Sequence, residues 1–170
     1  MTNIVVINGT NSVKSRVNGV AKYLQNNYNA TVLNVYELPA EDLMVANFAS
    51  TDIKAANELV AQAEVVVLLT PIYKASYSGI LKTYLDLIPQ KGFEQKTILP
   101  IAVGGTDRHL LAIDYALKPV AAVLGATNIL QGVFILDQHI QYDAAQKFTI
   151  NNEVLNRLNE QLKIIETVNS

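Results

Sequence analysis

A chain of 170 residues, half of them hydrophobic and only 16% charged, is long enough for a full core and too apolar for disorder. Its formal charge of −2 gives no electrostatic case for nucleic acid or an anionic membrane as partner. The absence of cysteine excludes disulfides, thiolate metal sites and cysteine nucleophiles, and the only histidines, His109 and His139, argue against a histidine metal site.

No stretch reaches the roughly 18 to 20 uninterrupted apolar residues of a membrane span. The first residues lead directly into a strand, so no secretory leader is expected and the cytoplasm is the expected compartment. The low charge implies hidden surface, which self-association would supply.

Asn3 to Asn8 reads as a first strand, apolar enough to be central. It runs into Gly9-Thr10-Asn11-Ser12-Val13-Lys14-Ser15-Arg16, a loop of small hydroxylated residues with two cations. Val17, Val20, Ala21 and Leu24 then recur at helical spacing up to Asn26-Asn27. Gly9 permits a tight turn, and hydroxyls with free amides at a helix start form an anion cradle. The same residues also suit a plain capped turn. There is neither a three-glycine dinucleotide pattern nor a Walker loop, so a phosphate held here is a single terminal one, without magnesium.

Thr31 to Tyr36 is a second strand, and Glu37 to Ser50 reads as irregular. Thr51 caps a helix running to about Gln62. The run Val65-Val66-Val67-Leu68-Leu69 has no alternation and suits a strand covered on both faces. Pro71 is expected to end it. An aromatic turn follows, with Tyr73, Lys74, Ala75, Ser76, Tyr77 and Gly79, before a helix from Ile80 to Ile88 closed by Pro89. Either the tyrosines flank a flat, partly apolar ligand or they merely pack.

Thr97 to Val103 is a fourth strand in spite of Pro100, which hints that one of its sides is less regularly paired. Gly104-Gly105-Thr106 ends it; adjacent glycines allow close backbone approach to a ligand and positive φ. A helix is expected over Asp107 to Gly125, apolar nearly all round and therefore buried against another copy of itself. Pro119 predicts a kink or π-bulge near Asp114-Tyr115. Thr127 to Leu136 is the fifth strand, His139 to Thr149 a polar connection, and Val154, Leu155, Leu158, Leu162 and Ile165 line the last helix.

Strands alternating with helices predict a three-layer α/β domain over residues 1–170, with a doubly wound, five-stranded parallel sheet. Three unusual loops, after strands one, three and four, meet at one sheet edge if the strand order is the flavodoxin-like 2-1-3-4-5. A phosphate cradle, an aromatic wall and a backbone-lined edge together describe FMN.

The segments Thr70-Pro71-Ile72-Tyr73-Lys74-Ala75-Ser76-Tyr77-Ser78-Gly79-Ile80-Leu81-Lys82, Gly104-Gly105-Thr106 and His109 to Pro119 resemble the NAD(P)H-dependent FMN reductase family. Within it, they look like the flavin reductase component of two-component alkanesulfonate monooxygenase systems. The resemblance implies hydride transfer from NADPH or NADH to FMN, with reduced flavin passed to a flavin-dependent monooxygenase. It assigns FMN to Gly9, Thr10, Asn11, Ser12, Ser15, Arg16 and Val17 at the phosphate, to Pro71, Ile72, Tyr73, Lys74 and Ser76 beside the ring, and to Gly104, Gly105 and Thr106 at the pyrimidine edge. It implies no general acid, general base or metal ligand. Tyr115 matches an inserted tyrosine that makes a π-bulge at a subunit interface, which implies a homotetramer or dimer.

One departure stands out. The family's first loop reads Gly-Ser-x-Arg with a later serine; Gly9-Thr10 and Ser15 fit, but Ser12 occupies the arginine's place. Either Lys14 or Arg16 supplies the lost charge, or phosphate affinity is weaker. His109 lies near the site or is a solvated capping residue. Two rival activities also fit such a fold: a quinone or azo reductase with retained FMN, and a flavodoxin-like electron carrier, the latter disfavoured by the lack of an acidic docking surface.

Overall fold

The computed structural model of the chain describes residues 2–145 and 147–168. Its apolar runs become a sheet whose strands are covered on both faces. The elements in chain order are β1 (Ile4–Asn8), α1 (Val17–Tyr28), β2 (Thr31–Asn34), α2 (Ala40–Met44), α3 (Thr51–Gln62), β3 (Val65–Tyr73), β4 (Ser76–Tyr77) and α4 (Gly79–Leu85). They continue with β5 (Thr97–Gly104), α5 (Lys118–Val123), β6 (Asn128–Ile129), β7 (Val133–Leu136), β8 (Ile140–Tyr142), β9 (Phe148–Ile150) and α6 (Asn152–Val168).

The sheet order is β2-β1-β3-β5-β6, with β7 taking over from β6 beside β5, and all of these pairs are parallel. This is the expected doubly wound order, with the fifth strand in two pieces. Side chains alternate between two cores. Ile4, Val6, Val65, Val67 and Leu69 pack toward α1 and α6, while Val5, Ile7, Val66 and Leu68 pack toward α3, α4 and α5. That alternation is why β1 and β3 carry no polar face. Each fully buried side chain of this kind, such as Leu24 or Ile53, contributes roughly 1.5 to 3 kcal/mol.

Several expectations are corrected. The strand β3 does not stop at Pro71 but continues to Tyr73, with Pro71 opposite Val103 of β5. Gly9 N–H donates to the Leu69 carbonyl at 2.7 Å, so Leu69 faces β1; by alternation Pro71 faces the same side, past the end of β1. Its missing N–H therefore costs no ladder bond. Tyr73 and Ser76 then pair antiparallel, and β4 folds back as a two-residue hairpin.

Pro100 lies where β5's outer neighbour is broken: β6 ends at Ile129 and β7 begins at Val133, with Gly132 at φ +86° between them. A Cβ on Gly132 would come within 2.5 Å of the Pro100 carbonyl oxygen. The second strand is shorter than expected, because a 3-10 turn takes Val35–Glu37, and α2 forms inside the segment read as irregular. The stretch 139–149 holds the hairpin strands β8 and β9, not merely a polar connection. Ile140 and Ile150 pair and are buried against α1, and Tyr142 meets Phe148 edge to face, ring centroids 4.3 Å apart.

The long helix expected over 107–125 is three shorter pieces: a 3-10 turn at Asp107–His109, a π-helical turn at Ile113–Leu117, and α5. The π turn falls where Pro119, which has no N–H and clashes with a preceding carbonyl, predicts it. Its apolar surface divides. Ile113, Leu117 and Ala121 are buried within the chain, whereas Leu110, Leu111, Tyr115 and Val123 are exposed. Among the described residues, no helix is long and apolar enough to cross a membrane.

Candidate functional site

The carboxyl ends of β1, β3, β5 and β7 meet at one edge of the sheet, the place where doubly wound sheets bind ligands. A cleft of about 190 Å³ opens there, lined by Ser15, Arg16, Val17, Pro71, Ile72, Tyr73, Val103, Gly104, Gly105 and Asp137. Eight of these ten are residues that the sequence assigns to a ligand.

The loop after β1 is set by Gly9 and by buried polar side chains. A Cβ on Gly9 would lie 2.6 Å from Leu81 Cβ, so only glycine lets α4 approach. Thr10 is wholly buried and its hydroxyl oxygen has no hydrogen-bond partner. Beyond it, Asn11, Ser12, Val13 and Lys14 are exposed. Ser12 and Ser15 are used locally, accepting from Lys14 N–H at 3.2 Å and Val17 N–H at 3.3 Å. Arg16 occupies the N-cap position of α1, and its side chain caps nothing. Among the described residues, no partner is found for the N–H of Asn11, Ser12 or Val13. Neighbouring backbone donors left open in this way form an anion-binding nest.

The turn after β3 forms the opposite wall. Lys74 and Ala75 occupy its tip with φ of 49° and 66°, the two positive values a two-residue hairpin turn requires. Neither is glycine, so the turn holds backbone strain of about 1 to 3 kcal/mol per residue. It persists because its base is tied. Thr70 Oγ1 accepts from Ser78 N–H at 3.0 Å and donates to the Pro71 carbonyl at 2.8 Å. The strained tip holds Tyr73 out, 47% exposed, with its hydroxyl donating to Asn11 Oδ1 at 3.2 Å across the cleft. Lys74 and Ser76 stand on the hairpin, outside the cleft lining.

The glycine pair after β5 works through space, since neither Gly104 nor Gly105 has positive φ. A Cβ on Gly104 would lie 2.8 Å from Phe134, so this glycine is needed for packing. Gly105 is open: its nearest neighbour would be Asp137 Oδ2 at 3.9 Å. Thr106 is turned to capping, its hydroxyl accepting from Arg108 N–H at 3.4 Å. His109 lies on the adjoining turn, outside the cleft.

Val103 and Asp137 line the cleft and are absent from the sequence-based assignment. Asp137 follows β7 directly, and its carbonyl accepts from Arg16 Nη1 at 3.3 Å, with the carboxylate 3.8 Å from the same nitrogen. Both side chains are half exposed, so the ion pair is worth little beyond its bridging geometry. The signal for Asp137 was the fold itself, which places the end of the fifth strand on this edge. No cluster among the described residues is suited to a metal ion. Open backbone donors, one projecting aromatic ring and a side-chain-free strand end make a site for an anionic, flat ligand.

Comparison with known proteins agrees with that chemistry. Residues 2–141 match the family model described as NADPH-dependent FMN reductase. The chain is 43% identical over 150 residues to an FMN reductase (NADPH) of Pseudomonas putida, covering 85% of this chain and 76% of that one. It is 42% identical over 154 residues to an FMN reductase (NADPH) of Escherichia coli, covering 87% and 81% respectively. Among solved structures, an NADH:FMN oxidoreductase in its apo form superposes with a TM-score of 0.83 at 30% identity, covering 96% of this chain and 87% of that one.

Proposed function

Because this chain belongs to the NADPH-dependent FMN reductase family, we propose that it transfers a hydride from NADPH or NADH to FMN held at the carboxyl edge of its sheet. The observation that carries the reading is the convergence on one cleft of the loops after β1, β3 and β5. The residues present fit the cofactor. A buried Thr10 hydroxyl without a partner and open N–H groups at Asn11 to Val13 suit a phosphate, and the open space at Gly105 suits a ring edge.

FMN, when bound, supplies the hydride-accepting ring, and the chain's task is binding and orientation. Gly9, Thr10, Asn11, Ser12, Ser15, Arg16 and Val17 hold the phosphate end. Tyr73, with Pro71 and Ile72, would wall one side of the ring, with Lys74 and Ser76 on the hairpin supporting that wall, and the other side would be left to the nicotinamide. Such stacking must bring donor and acceptor to ~3 to 3.5 Å. The N–H groups of Gly105 and Thr106, just past the end of β5, are preorganised donors for charge developing at the pyrimidine edge, and Gly104 brings that strand end close to it. No side chain is assigned as general acid or base.

Reduced flavin then leaves for a second protein, a flavin-dependent monooxygenase, in the cytoplasm where reduced pyridine nucleotides are made. The whole chain acts as one binding unit, assembled as a homotetramer or dimer through the exposed face around Tyr115. Following NADPH and NADH oxidation with and without added FMN tests the activity. Steady oxidation that depends on FMN is the expected result; none with either nucleotide overturns the reading.

A further inference from the structure

We propose that Asn8, Asn18 and Asn34 form a relay of amides that presets the backbone of the loop after β1 for phosphate. The inference rests on the functional reading above. Asn8 ends β1 and is wholly buried, where an amide needs every bond it can make. It makes three. Its Nδ2 donates to Asn18 Oδ1 at 2.8 Å and to Asn34 Oδ1 at 2.9 Å, and its Oδ1 accepts from Thr10 N–H at 3.3 Å.

Each amide's orientation is dictated from both ends. Asn18 Nδ2 donates to the carbonyls of Ser12 and Val13, each at 3.0 Å. Carbonyls only accept, so Asn18 must turn its oxygen to Asn8. Asn8 must then turn its nitrogen to Asn18 and its oxygen to the Thr10 N–H, which only donates. On the far side Asn34 Nδ2 donates to Glu37 Oε1 at 3.2 Å, which turns the Asn34 oxygen to Asn8. The relay thus runs from β2 through β1 into the loop without a free choice.

Its consequence for the loop follows from peptide geometry. In a planar trans peptide the N–H points opposite to the preceding C=O, and no peptide bond here is cis. Asn18 draws in the carbonyls of Ser12 and Val13. It therefore turns the Val13 N–H to the loop's opposite face, where an anion finds it already aimed, while the Lys14 N–H is taken up by the Ser12 hydroxyl oxygen at 3.2 Å. Asn8 fixes the start of the loop by the complementary contact, its Oδ1 drawing the Thr10 N–H in beneath the loop at 3.3 Å. These asparagines touch no ligand; they are positioning residues.

The test is the ratio of dissociation constants for riboflavin and FMN, which differ only by the phosphate, measured by flavin fluorescence on the full chain. Asn18→Ala is the main variant because Asn18 is only half buried. It should lower the preference for FMN about tenfold while riboflavin affinity stays within about twofold. Asn8→Ala should do the same, and the double variant should lose no more than the larger single effect. A merely structural role would weaken both flavins together and would overturn the relay, as would an unchanged ratio in Asn18→Ala. Equal affinity of the unmodified chain for both flavins also overturns it. Absence of any flavin binding by the unmodified chain overturns the functional reading first, and the relay with it.

Discussion

The hydroxyl of Ser78 donates to the carbonyl of Gly9 at 2.5 Å and accepts from Leu81 N–H at 3.2 Å. One buried oxygen thereby caps α4 and fastens the loop after β1 to the start of the next ligand-binding segment. Ser78→Ala should cost about 1 to 3 kcal/mol, combining a lost N-cap with an unpaired buried carbonyl. Urea unfolding checks the size of the loss, and a parallel FMN titration should show weaker binding, since both walls of the cleft share this anchor.

Two glycines of the site separate stability from binding. Gly9→Ala forces a Cβ against Leu81 and should destabilise the fold by about 1 to 3 kcal/mol. Gly105→Ala meets nothing closer than Asp137 Oδ2 and should leave stability within about 0.5 kcal/mol. Yet its methyl group enters the cleft, so FMN affinity should fall. Thermal melts and titrations on the two variants should show opposite rankings.

Ser12→Arg should tighten FMN binding. A charge-assisted contact to phosphate is worth on the order of 1.5 to 3 kcal/mol, and Arg16, the cation that lines the cleft, is turned toward Asp137. Unchanged or weaker affinity in a fluorescence titration would mean that Lys14 or Arg16 already serves the phosphate.

The chain should be a homotetramer, or at least a dimer, at micromolar concentration. Tyr115 is 79% exposed on the π turn, and Leu110, Leu111 and Val123 of the same 107–125 segment are exposed too. Four large exposed apolar side chains within one segment suit an interaction surface. Light scattering should find the oligomer, and Tyr115→Ala should shift it toward smaller species. A stable monomer of the unmodified chain would sink the idea.

Asp42 yields an acid-range prediction. Hydrogen bonds from Ser50 and Asn47 hold its carboxyl below the usual aspartate range. A carboxylate whose pKa is depressed by folding stabilises above its unfolded pKa, and that contribution fades as pH falls through the folded value. Asp42→Asn should therefore lower the melting temperature at neutral pH and converge with the unmodified chain in strong acid.

The central strands were legible because Val65 to Leu69 and Ile4 to Ile7 announce two-sided burial without any partner being known. The π turn was legible from Pro119, whose effect is local. Pro71 was misread for the opposite reason. A proline's cost in a strand depends on which neighbour it faces, and β1 happens to end before it. The hairpin of β8 and β9 hid because Ile140, Tyr142, Phe148 and Ile150 alternate with polar residues in strands too short to show a period. Asp137 and Asn8 carried no signature of their own. Asp137 reaches the cleft through strand order alone, and Asn8 reads as an ordinary strand end until Asn18 and Asn34 are seen to converge on it.

The gap between β6 and β7 bears on how copies can meet. At that margin the outer strand is two residues, an interruption at Gly132, then four residues, and the opposite margin, β2, is only four residues long. Neither rim offers a long, flat row of unpaired amides onto which a foreign strand could zip. Short, interrupted margins of this kind blunt edge-to-edge pairing, which in a chain this rich in β-branched strands is the route to fibrils.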